Sequence, residues 1–162
     1  MQRDLAEFIE KVRELGFMVK LDTNGANFEV VEELARRNLV DYFAIDIKTA
    51  FYKYDLVSAP RDGAEMTLRS VDLIIDKNIP LELRTTVVPG IVGLEDFDDI
   101  IRALREKNEN ILPRLSRYNV QTFRPQKCLD KKFEELSPYD DEVLEQIAEK
   151  LKKYCTRVEV VR

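Results

Sequence analysis

The chain has 162 residues, of which 44% are hydrophobic and 35% charged, and it carries a formal net charge of −5. This composition is typical of a globular protein with a sizeable core, and we expect a single domain over residues 1–162. The acidic balance, the charged N-terminus and the lack of an apolar run of about 18 residues predict a cytoplasmic protein that binds neither nucleic acid nor membrane.

The side chains available for chemistry are few in kind. The sequence contains no histidine, so the commonest general base and zinc ligand is missing. Its two cysteines, Cys128 and Cys155, are far apart and form no CxxC pair, which excludes a disulfide framework and a four-thiolate metal site. We therefore predict no metal ligands in this chain, and any chemistry must use Asp, Glu, Lys, Arg, Tyr or a cofactor.

Hydrophobic periodicity predicts five helices that alternate with five strands. In chain order these are a helix over residues 5–15, a strand over 17–22, a helix over 30–35, a strand over 41–48, a loop-rich segment over 49–66, a helix over 68–75, a strand over 79–90, a helix over 96–106, a strand over 117–125, a helix over 139–154 and a strand over 156–161. This alternation indicates a parallel sheet built from βα units.

The faces of the predicted strands distinguish between two kinds of parallel sheet. In the second strand, Phe43, Ile45 and Ile47 share one face, and Asp46 and Lys48 lie on the other. A doubly wound sheet has helices on both faces, so its central strands should be apolar on both. The other strands also have one polar face, with Lys20, Asp22, Glu82, Arg84, Thr86, Asn119 and Gln121. The sequence therefore predicts an α/β fold: a partial (β/α) TIM-like barrel with a polar lumen and helices only outside.

Polar residues cluster where the predicted strands end, which is where βα barrels carry their sites. They are Asp22, Thr23, Asn24, Asp46, Lys48, Arg84, Thr86, Gln121 and Arg124. Three structural alternatives stay open: a turn that leads into a helix at Asp-Thr-Asn-Gly, a strand-end ion pair between Asp46 and Lys48, and a structural pairing of Arg84 with Glu82. Burial of unpaired charge is costly, so polar and charged residues at the ends of four strands that face one lumen favour a ligand site.

Four stretches carry a resemblance to a known family: "LDTNG", "DYFAIDIK", "LELRTTVVPGI" and "VQTFRP", in this order. Together they resemble the radical S-adenosylmethionine (SAM) enzymes, in particular the activating enzymes of pyruvate formate-lyase and of anaerobic ribonucleotide reductase. The resemblance covers nearly the whole chain. It implies an oxidoreductase that uses SAM and a [4Fe-4S] cluster to abstract hydrogen from a glycine of a partner glycyl-radical enzyme.

The chain also departs from that family. The family holds its cluster with a CxxxCxxC loop and the SAM amine with a Gly-Gly-Glu-Pro stretch, and this sequence contains neither. The resemblance therefore implies the C-terminal two-thirds of an activase, which forms the SAM and substrate walls without the cluster loop. Its partners would be a glycyl-radical enzyme or a cluster-bearing N-terminal fragment. The alternative is a cluster-free half-barrel module that binds a nucleotide-like ligand or a protein.

Two further expectations follow from this implied arrangement. The first strand should have an open edge, through which the chain self-associates or pairs with another strand. The chain alone should be inactive, because a low-potential cluster needs cysteine ligands.

The resemblance also assigns cofactor contacts to the first two strand ends. Asp22, Thr23 and Asn24 would lie under the methionyl and ribose groups of SAM. Asp46 and Lys48 match the Asp-x-Lys of the family's next strand, where the lysine faces the SAM carboxylate or the substrate.

Two later strands complete the implied SAM wall. Arg84 matches the arginine near the SAM carboxylate and ribose. Gln121, Phe123 and Arg124 match the strand that flanks the adenine. The resemblance assigns no catalytic residue.

Overall fold

Five strands form one parallel sheet, and their order in the sheet follows their order in the chain. The computed structural model describes residues 4–57 and 62–162. The strands are β1 (Lys20–Thr23), β2 (Tyr42–Asp46), β3 (Leu81–Val87), β4 (Arg117–Thr122) and β5 (Val158–Val161). The predicted parallel βα arrangement is confirmed.

The helices of the described residues connect these strands. They are α1 (Leu5–Glu14), α2 (Phe28–Arg36), α3 (Gly63–Asp76), α4 (Asp96–Lys107), α5 (Ile111–Arg114) and α6 (Asp141–Lys152), with 3-10 turns at Phe51–Leu56 and Lys131–Glu135. Helices α2, α3, α4 and α6 contact one another in succession, so they form a layer against one side of the sheet. No helix in the described ranges is both long and apolar enough to cross a membrane.

The two faces of the sheet differ in the way the sequence predicts. Phe43, Ile45 and Leu83 point into the helical layer and are fully buried, and burial of such a side chain stabilises by about 1.5–3 kcal/mol. The helices supply Leu34, Val71, Ile74, Phe97, Ile100, Leu144 and Ile147 to the same core. The opposite face is polar, and its charged side chains at the strand ends remain partly exposed. This open sheet is a partial TIM-like barrel, as predicted.

Most element boundaries differ from the prediction by one to three residues, with β3 and β4 ending at Val87 and Thr122 rather than at residues 90 and 125, and two elements begin three or more residues from the predicted start. Strand β1 begins at Lys20 rather than at residue 17, because both backbone groups of Val19 bind Asp41: the Val19 N–H donates to its carboxylate over 2.7 Å and the Val19 carbonyl accepts its N–H over 2.9 Å. Helix α3 begins at Gly63 rather than at residue 68, since its first turn lacks an apolar repeat but carries Glu65, which interacts favourably with the helix dipole.

Short elements were missed for a different reason. Helix α5 and the two 3-10 turns span four to six residues, which is too short for hydrophobic periodicity to reveal. Residues 58–61 of the predicted loop-rich segment lie outside the described residues.

A buried hydroxyl pair in the core offers a stability test. The Tyr118 hydroxyl and Thr85 Oγ1 are 2.8 Å apart, and both residues are buried. We expect Tyr118→Phe to lower the free energy of unfolding by about 1–3 kcal/mol, because Thr85 then lacks a partner in an apolar environment. Urea unfolding measures the change. The matched control is Tyr118→Phe combined with Thr85→Val, which should cost less than the two single changes added together; strict additivity would contradict the pairing.

Candidate functional site

The centre of the candidate site is a bridge between two carboxylates on neighbouring strands. Arg84 of β3 donates from Nη1 to Asp22 Oδ2 over 2.9 Å and from Nε to Asp46 Oδ1 over 2.7 Å. The register of β2 and β3 places Asp46 directly opposite Arg84, and Asp22 is on the adjoining strand β1. The rigid fork of a guanidinium suits two carboxylates at once. The Arg84 side chain is only 16% exposed, so its orientation is well defined.

A second cation extends the cluster toward the strand ends. Lys48 Nζ lies 2.8 Å from Asp46 Oδ2, so Asp22, Asp46, Lys48 and Arg84 meet in one place, as the sequence predicts. These four residues are called the Arg84 cluster below. The structural alternatives are also present: Asp46 and Lys48 form an ion pair, and Arg84 Nη1 lies 3.9 Å from Glu82 Oε1. In this cluster each carboxylate is therefore paired with a cation.

Thr23 and Asn24 serve the turn after β1. Thr23 Oγ1 accepts from the Gly25 N–H and Asn24 Oδ1 accepts from the Ala26 N–H, each over 3.1 Å. These are hydrogen bonds of the kind that Ser, Thr, Asn and Asp make in turns. Asn27, rather than Asn24, caps helix α2. The turn interpretation is therefore correct for these two side chains, while Asp22 faces Arg84.

Gly25 allows this turn to lie close to the core. Its φ of +71° favours glycine. A Cβ at this position would lie 3.4 Å from Ile45 Cγ2 and 3.5 Å from Ser70 Cβ. The turn therefore packs directly against strand β2 and helix α3.

Hydroxyl groups hold the turn after β1 and the loop after β2 in place, and the sequence analysis did not predict these contacts. Thr67 and Ser70 of α3 are fully buried; they donate to the carbonyls of Asn24 over 3.0 Å and Gly25 over 2.7 Å. The Tyr54 hydroxyl accepts the Lys48 N–H over 3.4 Å. The available signal was the presence of two hydroxyls on the inward face of an apolar helix.

Burial controls the protonation of Tyr54. It raises the pKa of this phenol to about 12, against the opposing effect of hydrogen bonds with Lys48 and Thr67. The Tyr54 hydroxyl is therefore neutral under ordinary conditions and acts as a fixed support of the loop after β2.

Gln121 lies in β4, the strand next to β3, and Phe123 and Arg124 directly follow this strand. Gln121 Oε1 accepts from Thr86 Oγ1 over 3.2 Å, and Phe123 is 7% exposed. Arg124 donates to the carbonyl of Arg162. In the described residues, no hydrogen bond or ion pair joins these three side chains to the Arg84 cluster.

Two cavities lie at different places in the fold, one beside the Asp46–Lys48 pair and one between two helices. A cavity of about 210 Å³ adjoins the cluster and is lined by Asp46, Ile47, Lys48, Val57, Thr86, Val88 and Ile91. It is smaller than most small-molecule sites, so it could hold only part of a cofactor. A larger cavity of about 540 Å³ lies between α4 and α6, on the outer side of the helical layer. We place the site at the strand ends, where the paired charges are.

Comparison with known proteins identifies the family. The family model of the Radical SAM superfamily matches residues 1–110. The chain belongs to the radical SAM superfamily. It is also 35% identical over 163 aligned positions to the "Putative glycyl-radical enzyme activating enzyme MJ1227" of Methanocaldococcus jannaschii, across 98% of this chain and 65% of that protein. The chain thus spans about two-thirds of the length of this curated relative.

The residues present fit part of what a radical SAM protein binds. Two carboxylates and two cations within one cluster suit the carboxylate, ammonium and sulfonium groups of SAM. The same polar face carries Asn119, which pairs in register with Arg84 and Glu159. Within the described residues, its Oδ1 is buried without a hydrogen-bond partner, so it is available to accept from an amine or hydroxyl of a ligand.

The same residues do not fit an iron–sulfur cluster. Cluster ligands are thiolates, and this sequence has two cysteines. Burial raises the pKa of the Cys155 thiol to about 12, so this sulfur is protonated at neutral pH, and Cys128 is half-buried. Among the described residues, no three His, Cys, Asp or Glu side chains are grouped in a way that could hold a metal ion.

The Arg84 bridge predicts the titration of Asp22. Partial burial raises the pKa of the Asp22 carboxyl, but Arg84 and Lys20 together outweigh it and hold the pKa below the ordinary value of 3.8. We expect Arg84→Gln to raise this pKa, measured by NMR titration, while Lys48→Gln, the matched control, leaves it unchanged. Because the pKa is lowered in the folded state, the stabilisation is present above about pH 3.9 and is lost as the pH falls through the folded value. An Asp22 that titrates identically in wild type and Arg84→Gln would contradict the bridge.

Proposed function

We propose that this chain forms the SAM and substrate walls of a glycyl-radical enzyme activase. The observation that carries the proposal is the Arg84 bridge between Asp22 and Asp46 at the carboxyl ends of β1–β3. Membership of the radical SAM superfamily and similarity to a relative named as an activating enzyme support it. When bound, SAM supplies the sulfonium whose cleavage starts the radical reaction.

The residues of the cluster would divide the binding of a zwitterion between them. Arg84 and Lys48 offer N–H donors to the methionyl carboxylate, while Asp22 and Asp46 offer acceptors to the positive groups. Asp22, Thr23 and Asn24 form the wall after β1, although the last two act through the turn. Because Arg84 is already oriented by two carboxylates, it would bind with little loss of side-chain freedom.

Gln121, Phe123 and Arg124 would form the more distant adenine wall. The resemblance carries this assignment, and Gln121 contacts Thr86, which lines the cavity beside Asp46 and Lys48. The Thr86 hydroxyl holds the Gln121 amide, which leaves the amide nitrogen of Gln121 available to a ligand.

We further propose that the cluster ligands are supplied by a CxxxCxxC-bearing fragment and that a glycyl-radical enzyme is the protein partner. The donor set of this chain does not fit the cluster, and the curated relative is longer than this chain. Reductive cleavage of SAM needs a low-potential [4Fe-4S] cluster that is held by three protein thiolates. An activase segment that carries these thiolates would satisfy this requirement.

An assay of SAM cleavage distinguishes an activase that needs a cluster-bearing fragment from a cluster-free binding module. We expect the isolated chain, after anaerobic reconstitution with iron and sulfide, to form no stable [4Fe-4S] cluster and to release no 5′-deoxyadenosine from SAM. Addition of a fragment carrying CxxxCxxC and Gly-Gly-Glu-Pro should restore turnover. In that mixture Arg84→Gln should lower turnover at least about tenfold, the effect of losing one charge-assisted hydrogen bond. Arg69→Gln is the control, because Arg69 lies over the Phe28 ring on the helical side.

Three results would change the interpretation. A stoichiometric cluster with turnover in the chain alone would contradict the cysteine argument. Full activity of Arg84→Gln would show that the charged residues around Arg84 are not part of the SAM site. Nucleotide binding without any restored turnover would favour a cluster-free binding module.

The edge of the sheet supports a proposal on assembly. Within residues 4–57 and 62–162, strand β1 is paired on one side only, to β2, and Phe17 and Met18 beside it are 62% and 83% exposed. Phe8 and Leu15 of the adjoining N-terminal segment are also exposed. Open strand edges with apolar neighbours promote pairing, so we propose that the isolated chain self-associates through β1.

Sedimentation tests this proposal on assembly. We expect the wild-type chain to show concentration-dependent association and Met18→Lys to weaken it, because lysine beside an edge strand opposes pairing. Leu56→Lys is the matched control, since Leu56 is 73% exposed but lies after β2. A strictly monomeric wild type, or equal effects of the two substitutions, would contradict assembly through this edge.

A further inference from the structure

A second polar cavity lies at the amino-terminal ends of the strands, away from the Arg84 cluster. Its volume is about 350 Å³, and it is lined by Lys20, Tyr42, Ser116, Arg117 and Arg157. Lys20, Tyr42 and Arg117 are the first residues of β1, β2 and β4, and Arg157 directly precedes β5. Three cationic side chains, from β1, β4 and the residue before β5, therefore surround one cavity whose lining includes no carboxylate.

One carboxylate behind this lining orients two of the cations. Glu82 has a side chain only 3% exposed. It accepts from Arg117 Nε over 2.7 Å, from the Tyr42 hydroxyl over 3.2 Å and from Lys20 Nζ over 3.5 Å. A buried carboxylate with three donors is fully satisfied. It therefore fixes Lys20 and Arg117 in place without occupying the cavity.

A second carboxylate orients the third cation. Glu159 of β5 accepts from Arg157 Nε over 2.7 Å and from Arg117 Nη1 over 3.3 Å. Each guanidinium has five N–H donors, so these contacts leave further donors on Arg117 and Arg157. The exposed fractions of the Lys20, Arg117 and Arg157 side chains are 45%, 32% and 62%, which makes the three cations accessible to a solute.

The ion pairs around this cavity continue into those of the Arg84 cluster, because Lys20 contacts Asp22 as well as Glu82. The connected network holds five cations and four carboxylates: Lys20, Lys48, Arg84, Arg117 and Arg157 against Asp22, Asp46, Glu82 and Glu159. Cations therefore exceed carboxylates by one in this network, although the whole chain carries −5. Accessible cationic donors around the cavity favour an anionic ligand.

We propose that this cavity, the amino-terminal cavity, binds a phosphate group, either as free phosphate or as a phosphomonoester. Guanidinium forks match phosphate oxygens in pairs, Lys20 adds a point charge from another direction, and Ser116 adds a hydroxyl donor. Donors from β1, β4 and β5 converge from different sides, which suits a tetrahedral anion better than a planar carboxylate. The volume leaves room for a small organic group beside the phosphate.

Phosphate titration of the labelled wild-type chain, followed by ¹⁵N NMR at constant ionic strength with chloride as the balancing anion, tests the proposal. We expect saturable shifts at the backbone amides of Lys20, Ser116 and Arg157. Arg157→Gln and Lys20→Gln should each weaken binding about tenfold, the effect of losing one charge-assisted hydrogen bond. Arg162→Gln is the matched control: Arg162 follows the same edge strand but pairs with Asp141 and Glu145 outside the cavity.

Each outcome decides the proposal. Saturable binding that both cavity substitutions weaken and the control retains supports it. Shifts that chloride reproduces, the absence of saturation, or equal affinity in wild type and both cavity variants would overturn it. Ribose 5-phosphate, titrated in the same way, distinguishes a phosphomonoester site from one for free phosphate. Because the titration uses neither SAM nor a cluster, its result is independent of the proposed activase function.

Discussion

The constraint on which this structure depends is the alternation of side chains along parallel strands that have helices on one face only. The helical layer takes the apolar positions, so the charged positions of the strands project to the opposite face. On that face Glu82 is almost wholly buried, and a charge in such a position is tolerated only when it is paired. Pairing across strands is therefore a condition of the fold, and it brings the candidate site residues together.

The resulting ion pairs form one continuous network across the sheet. From the amino-terminal cavity to the carboxyl ends of the strands it runs through Arg157, Glu159, Arg117, Glu82, Lys20, Arg84, Asp22, Asp46 and Lys48. Glu82 is the central member, because it faces Arg117 and Lys20 on one side and Arg84 on the other. A ligand that engages a cation at either end therefore alters the electrostatic surroundings of a carboxylate shared with the other end.

The stretch "LDTNG" has two roles that depend on each other. Thr23 and Asn24 close a turn with their side chains, and their backbone is held by hydroxyls from α3. This arrangement directs Asp22 toward Arg84. In the proposed SAM site this turn would also form a wall, since a carboxylate can be presented to a ligand only by a backbone that is itself fixed.

The sequence by itself determined the parallel order of the strands, the polar face, and the meeting of Asp22, Asp46, Lys48 and Arg84, because period-two alternation and βα repetition are local patterns. Only the tertiary structure decided how Thr67 and Ser70 hold the turn after β1, and that Gln121 pairs with Thr86 and Arg124 with the carbonyl of Arg162. It also decided that Glu82 is the shared centre of the ion pairs. The Lys20–Glu82 contact joins residues 62 positions apart, and the choice of partner over such a separation depends on register and packing, which no local pattern contains.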